Sequence, residues 1–175
     1  MLKKSILVIV AILLVVGCSS SNKSGVVSNR KIEGSNGTKD VNEKIILSDN
    51  NIEYNFETDD ISVVVKNKFD TKKFKYKDGK LTKDHYSISY ELIEYDYPMF
   101  DEYKDLPGYD KITIDGKEAI STIGVTSEAI MVKINDNTIL YIMGNTDGNI
   151  VNIEMTNDND YKLFVNNTKI TIKNK

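Results

Sequence analysis

From residue 44 to the C-terminus, apolar and polar residues alternate along much of the chain with the two-residue period of strands that bury one face. Ile52, Tyr54 and Phe56 alternate with Asn51, Glu53, Asn55 and Glu57; Thr58-Asp59-Asp60 supplies turn chemistry, and the valine-rich run Ile61 to Lys66 returns. That pattern predicts an antiparallel hairpin, with Ile45-Ile46-Leu47 as a first strand or lead-in. Tyr86, Ile88, Tyr90 and Leu92 alternate with Ser87, Ser89 and Glu91, which predicts the longest strand over 86–95. Asp115-Gly116 joins Ile112-Thr113-Ile114 to Lys117-Glu118-Ala119, and because both turn residues tolerate positive φ, a type I′ turn sets Ile112 opposite Ala119. Taking Asp136-Asn137 as another two-residue turn, Ile134 faces Ile139, Val132 faces Tyr141 and Ile130 faces Met143. Val151, Ile153 and Met155 alternate with Asn152 and Glu154 and predict one more strand.

The period changes in two places. Pro98 suits a first helical position, and Met99, Phe100 and Tyr103 are spaced for one face of a short helix, although the same segment also reads as an irregular loop. Near the C-terminus Asn157 or Asp158 can cap a helix over 158–167, with Tyr161, Phe164 and Val165 on one face and Ile170-Thr171-Ile172 extended beyond it. Lys66 to Lys83 is lysine-rich around Phe69, Phe74, Tyr76 and Leu81, and Asp78-Gly79 predicts a ragged hairpin or a loop there. The expected fold class is α+β: an antiparallel β-sheet of about 6–8 strands with one or two short helices packed on it, in two layers.

The N-terminal eighteen residues follow another rule. Lys3 and Lys4 give a positive start, Ser5 to Val16 is an uncharged apolar run, and Val15-Val16-Gly17-Cys18 closes it. The run falls short of the roughly 20 apolar residues of a membrane span and has the length of a signal-peptide core. From Ser19 to Glu43 the chain is rich in Ser, Asn, Gly and Lys, with few apolar residues to offset the entropy of ordering. The expected organisation is a removed signal peptide over 1–17, Cys18 with a flexible tether over 18–43, and one globular domain over 44–175. A coil of about 25 residues spans roughly 25–30 Å, enough to hold a globule clear of the headgroups.

Residues 1 to 18 resemble a bacterial lipobox, in which small or aliphatic residues precede a cysteine. The resemblance implies that the Cys18 thiol carries diacylglycerol and becomes the mature N-terminus, lipid-anchored on the outer face of the bacterial cell membrane. The order of strands, the Ile112 to Ala119 hairpin and the terminal helix are similar to the PsbP/Mog1-like domain over roughly residues 50 to 172. That similarity implies a sandwich around an antiparallel sheet, and accessory or binding roles rather than chemistry.

Composition narrows the function. The net charge is −3 with Lys and Asp interspersed, which argues against nucleic acid, whose binding requires a basic stripe. The basic stretch 66–83 raises a membrane-surface or anionic-polymer contact, diluted by Asp70, Asp78 and Asp84. Cys18 is the only cysteine and His85 the only histidine, so neither a disulfide nor a histidine-based metal cluster can be built from this chain. Gly-x-Ser-x-Gly and phosphate-binding glycine motifs are absent, and neither Asn145 to Gly148 nor Asn157 to Asp160 has EF-hand spacing. No catalytic residue, metal or cofactor is therefore expected beyond the covalent acyl lipid on Cys18. Tyr95, Tyr97, Phe100, Tyr103 and Tyr109 form the densest aromatic cluster and are the candidate partner surface, the alternative being a loop pinned to the core by its rings. The expected function is a non-catalytic lipoprotein that binds a protein or envelope partner. The alternatives are a carrier or sensor of an apolar ligand, in a pocket between sheet and helix, and a hydrolase whose site leaves no motif.

Overall fold

The computed structural model describes residues 25–34, 38–148 and 152–175. Cys18 and the apolar run before it lie outside the described residues. The first sheet is built from β1 (Gly25–Ile32), β2 (Val41–Ser48), β3 (Asn51–Glu57), β4 (Ile61–Lys68) and β12 (Lys169–Asn174), hydrogen-bonded in that order. The second has the order β5 (Lys75–Lys77), β6 (Lys80–Lys83), β7 (Tyr86–Glu94), β11 (Thr138–Thr146), β10 (Ser127–Lys133), β9 (Lys117–Ile123), β8 (Tyr109–Ile114). All the strand pairs are antiparallel, and three short helices, α1 (Met99–Tyr103), α2 (Asn152–Asn157) and α3 (Asn159–Asn166), complete the described elements. The α+β antiparallel class holds, with twelve strands in two sheets rather than 6–8 in one.

The sheets bury their facing sides against each other. Ile45, Ile52, Tyr54, Phe56, Val63 and Val65 from the first sheet meet Leu81, Ile88, Tyr90, Leu92, Ile130, Val132, Leu140 and Ile142 from the second in one cluster. Tyr54 and Tyr90 pack edge to face with ring centroids 4.9 Å apart. Met155 of α2 and Tyr161, Phe164 and Val165 of α3 close this core. Asp158 caps α3, its carboxylate accepting from the Asp160 N–H at 2.7 Å.

Three sequence expectations are corrected. The stretch expected to be a tether up to residue 43 contains β1 and the start of β2, with Val41 and Glu43 fully buried. The tether reading rested on the scarcity of apolar residues, and β1 needs few: it is held by its ladder to β2 and by the ion pair of Arg30 with Glu43. Next, β10 and β11 pair one residue away from the expected register, Lys133 with Ile139, Val132 with Leu140 and Ile130 with Ile142. Both faces of these central strands are apolar, because Met131 and Ile139 are buried on the outer side, so the alternation there could not choose between registers. Finally, Ile153 and Met155 lie in α2, not in a strand. Only Met155 is buried, and Ile153 is 58% exposed, so the alternating pattern was not a buried face.

Other expectations match. Asp115 (φ 49°) and Gly116 (φ 75°) form the turn that sets Ile112 opposite Ala119, and Asp78 (φ 50°) with Gly79 (φ 81°) turns β5 into β6. Gly144 has a different reason to be glycine. A Cβ built there would lie 2.6 Å from the Tyr161 hydroxyl oxygen and 2.9 Å from the Met155 methyl, so a side chain would force the Tyr161 ring and the Met155 tip out of their seats on the sheet. Gly144→Ala is expected to cost about 1–3 kcal/mol by overpacking, read as a lower denaturant midpoint. An unchanged midpoint would mean that α2 and α3 are not seated on β11.

Candidate binding surface

The segment between β7 and β8 crosses the outer face of the second sheet, which alternation makes apolar on this side as well: Ile120, Met131 and Ile139 point outward and are buried. Phe100 of α1 and Tyr95 fill the space above them, with Ile93, Met99, Tyr103, Tyr109 and Tyr141 around the rim. The Tyr95 and Tyr141 hydroxyls are 3.0 Å apart, and burial pushes both phenols above their ordinary range. Lys133 reaches over the Phe100 ring, 5.8 Å from its centroid, and pairs with Asp136 at 3.1 Å and Asp101 at 3.4 Å.

The five aromatics named from the sequence are thus brought to one face but do not do the same work. Tyr95 and Tyr97 have ring centroids 5.9 Å apart, and Tyr103 and Tyr109 5.7 Å apart. Phe100 is fully buried and Tyr95 nearly so, which makes them core residues; Tyr103 and Tyr109 are half-buried, and Tyr97 is 41% exposed. The accessible part of the cluster is Tyr97 with the edges of Tyr103 and Tyr109.

At the root of this strap lies a cleft of about 340 Å³ lined by Lys39, Asp60, Ile61, Glu94 and residues 135–138. Glu94 ends β7 and is 4% exposed. One carboxylate oxygen accepts from the Lys39 ammonium at 2.6 Å, and the other is buried without a hydrogen-bond partner. Lys39 also lies 3.7 Å from Asp60, and its hydrogen bond to Glu94 raises its pKa. The backbone closes the cleft: the Lys39 N–H donates to the Glu94 carbonyl at 2.9 Å and the Tyr95 N–H to the Asn137 carbonyl at 2.7 Å. Asp60, Glu94 and Asp136 thus all line this cleft, the first two paired with Lys39 and the third with Lys133. Chemically the arrangement accepts hydrogen bonds from a cationic or amide-bearing group.

No protein-family model matches this chain, and neither does any curated protein or solved structure. Among the described residues there is no group of three or more His, Cys, Asp or Glu side chains arranged to hold a metal. His85 is exposed, with Nδ1 3.0 Å from Asp147. The Asp158 and Asp160 carboxylates converge on the Lys83 ammonium at 2.5 and 2.8 Å, and Lys73 reaches Asp160 at 2.7 Å. These oxygens serve lysines and a helix cap.

Glu94 was not singled out from the sequence, although a signal was there: it continues the inward phase of Tyr86, Ile88, Tyr90 and Leu92. A carboxylate at an inward strand position demands a partner. Lys39 and the loop 135–138 carried no such signal.

Proposed function

We propose that the protein is a lipoprotein anchored through Cys18 on the outer face of a bacterial membrane, presenting a non-catalytic two-sheet domain to a protein or cell-envelope partner. The observation that carries this reading is the sequence Lys3 to Cys18, a charged start and an apolar run that stops at a cysteine. The resemblance to the PsbP/Mog1-like domain, resting on the Ile112 to Ala119 hairpin, points the same way. The strap with Tyr97 and the adjoining Glu94 cleft is the surface we assign to the partner. A binding module is preferred over a carrier of apolar ligands because large side chains fill the space between the sheets: Tyr54, Phe56, Leu81, Ile88, Leu92 and Leu140 are all fully buried there. The cavities of about 190–420 Å³ open instead at the surface, each with charged or polar residues in its lining.

Replacing the thiol tests the anchor. Two acyl chains suffice for stable anchoring where one is marginal, each buried methylene contributing about 0.8 kcal/mol. Cys18→Ser is expected to abolish incorporation of labelled fatty acid and processing ahead of residue 18, while the domain melts as before. Continued labelling and cleavage at the same bond would refute the anchor.

A further inference from the structure

We propose that the lysine-bearing end of the domain, formed by the loop 69–74, the start of β5 and the β2–β3 turn, lies against the anionic headgroups of the membrane that holds the Cys18 lipid. The inference rests on the anchor reading and adds an orientation to it. Its first support is the length of chain between the lipid and the sheet. Only Ser19 to Ser24 separate Cys18 from Gly25, where β1 begins. Seven steps of chain reach at most about 25 Å when fully extended, and as a coil roughly 15 Å. The end of the sheet that contains Gly25 is therefore held close to the headgroups.

The register says which end that is. Gly25 lies opposite Leu47, Leu47 opposite Ile52, and Ile52 opposite Asn67. One step further, Asn51 pairs with Lys68, and the Phe69 N–H donates to the Asn50 carbonyl at 2.9 Å. Leu47, Phe69, Thr71, Phe74 and Tyr76 line one concavity of about 410 Å³. Lys68, Phe69, Thr71 and Phe74 line another of about 420 Å³ with Leu163, which is 58% exposed. The entry of the chain from the anchor and the lysine-rich loop thus share one end of the sandwich.

Charge is the second support. Residues 66–83 contain eight lysines against Asp70 and Asp78, a net +6 in a chain whose total is −3, so the remaining residues sum to −9. Lys73 is engaged by Asp160. Lys68, Lys72 and Lys75 are exposed, and among the described residues no carboxylate pairs with any of them. The carboxylates at this end are Asp49, Asp70, Asp158 and Asp160; Asp70 accepts from the Lys72 N–H at 2.9 Å, Asp158 is occupied by Lys83, and Asp160 by Lys73 and Lys83. A lysine near an anionic bilayer favours the bound state by about fivefold, so three give about a hundredfold. The opposite end, with Asp60, Glu94 and Asp136, is repelled by the same surface and faces away.

The test uses the full-length lipidated protein in phosphatidylcholine vesicles with and without phosphatidylglycerol. Because Cys18 is acylated, Thr71→Cys and Asp136→Cys each introduce one free thiol for a polarity-sensitive fluorophore, and spin-labelled lipid serves as quencher. The expected result is quenching at 71 and little at 136, only when phosphatidylglycerol is present. Raising the salt to 1 M shortens the Debye length to about 3 Å and should remove it, as should Lys68→Glu, Lys72→Glu and Lys75→Glu together. The anionic arm supports docking if the docked-to-free ratio falls at least about a hundredfold in that triple variant, which removes three positive charges and adds three negative ones. Equal quenching at the two positions, none at either, or quenching at 71 independent of phosphatidylglycerol overturns the orientation and leaves the anchor standing. A purified protein without acyl mass on Cys18, seen by mass spectrometry before any vesicle is added, overturns both.

Discussion

Phe100→Ala should lower stability by about 3–5 kcal/mol, the range for emptying a fully buried aromatic site, and the melting temperature by roughly 10–20 °C. The ring is completely buried, seated on Ile120, Met131 and Ile139 and covered by the Lys133 stem. Its loss leaves a cavity that α1 can fill only by moving, and α1 is short, with a single buried residue to hold it. Tyr97→Ala is the matched control. Tyr97 is exposed, so its removal should change stability by less than about 0.5 kcal/mol, and any effect on partner capture can be read without unfolding. Thermal melts of the two variants side by side decide the matter. A Phe100→Ala protein that melts like the parent would return this ring to the recognition surface and take it out of the core.

The second large effect is expected at Asn67. This side chain occupies the inward phase of β4 after Ile61, Val63 and Val65, and its Nδ2 lies 2.6 Å from the Phe164 carbonyl, 2.9 Å from the Tyr90 hydroxyl and 3.0 Å from the Thr168 hydroxyl. An amide has two hydrogens to give; the two hydroxyls, 2.7 Å apart, satisfy part of each other's need. The Asn67 carbonyl oxygen accepts from the Lys68 N–H at 2.7 Å. One residue therefore ties β4, β7 and the C-terminal end of α3 together, and the buried Tyr90 phenol is pushed up to about 12 by the loss of water around it. Asn67→Ala strands buried groups whose desolvation costs about 1–3 kcal/mol each, and a total near 3 kcal/mol is expected from urea unfolding. A double-mutant cycle with Thr168→Val should show coupling of about 0.5–3 kcal/mol. Additive effects would mean that water, not Asn67, satisfies the hydroxyl.

These two sites also show what the sequence could and could not convey. Strands β3, β4 and β7 were readable because one face alternates with polar residues: the phase of Ile52, Tyr54 and Phe56, or of Tyr86 to Leu92, names the buried side without ambiguity. The same phase marks the polar residues that matter inside, Glu43 after Val41, Asn67 after Val65 and Glu94 after Leu92. Where both faces are covered the signal fades. Ile139, Tyr141 and Met143 were expected on the face of Ile130 and Val132, which Leu140 and Ile142 occupy instead, because a second core on the outer side makes both phases of β11 apolar, so the register slipped by one. The aromatic segment was readable as a cluster, but burial of Phe100 depends on the outer face of three other strands, which no local pattern reports. Strand β1 was missed because an edge strand with exposed valines has the composition of a linker.

That edge strand also has a mechanical meaning. β1 touches the sheet only through β2, antiparallel to it, with Gly25 at one end of the ladder and the Ile32 to Val41 pair at the other. A pull entering ahead of Gly25 and directed away from the sheet loads the Gly25 to Leu47 rung first and the others afterwards, one after another. Such a ladder peels like a zipper, where one loaded along its length would have to shear all its bonds together. The Arg30 and Glu43 pair is the catch part-way along, since opening it exposes a carboxylate that is otherwise wholly buried. Eight freed residues would lengthen the link by about 26 Å at 3.3 Å each, leaving β2 as the new edge and the rest of the sandwich closed.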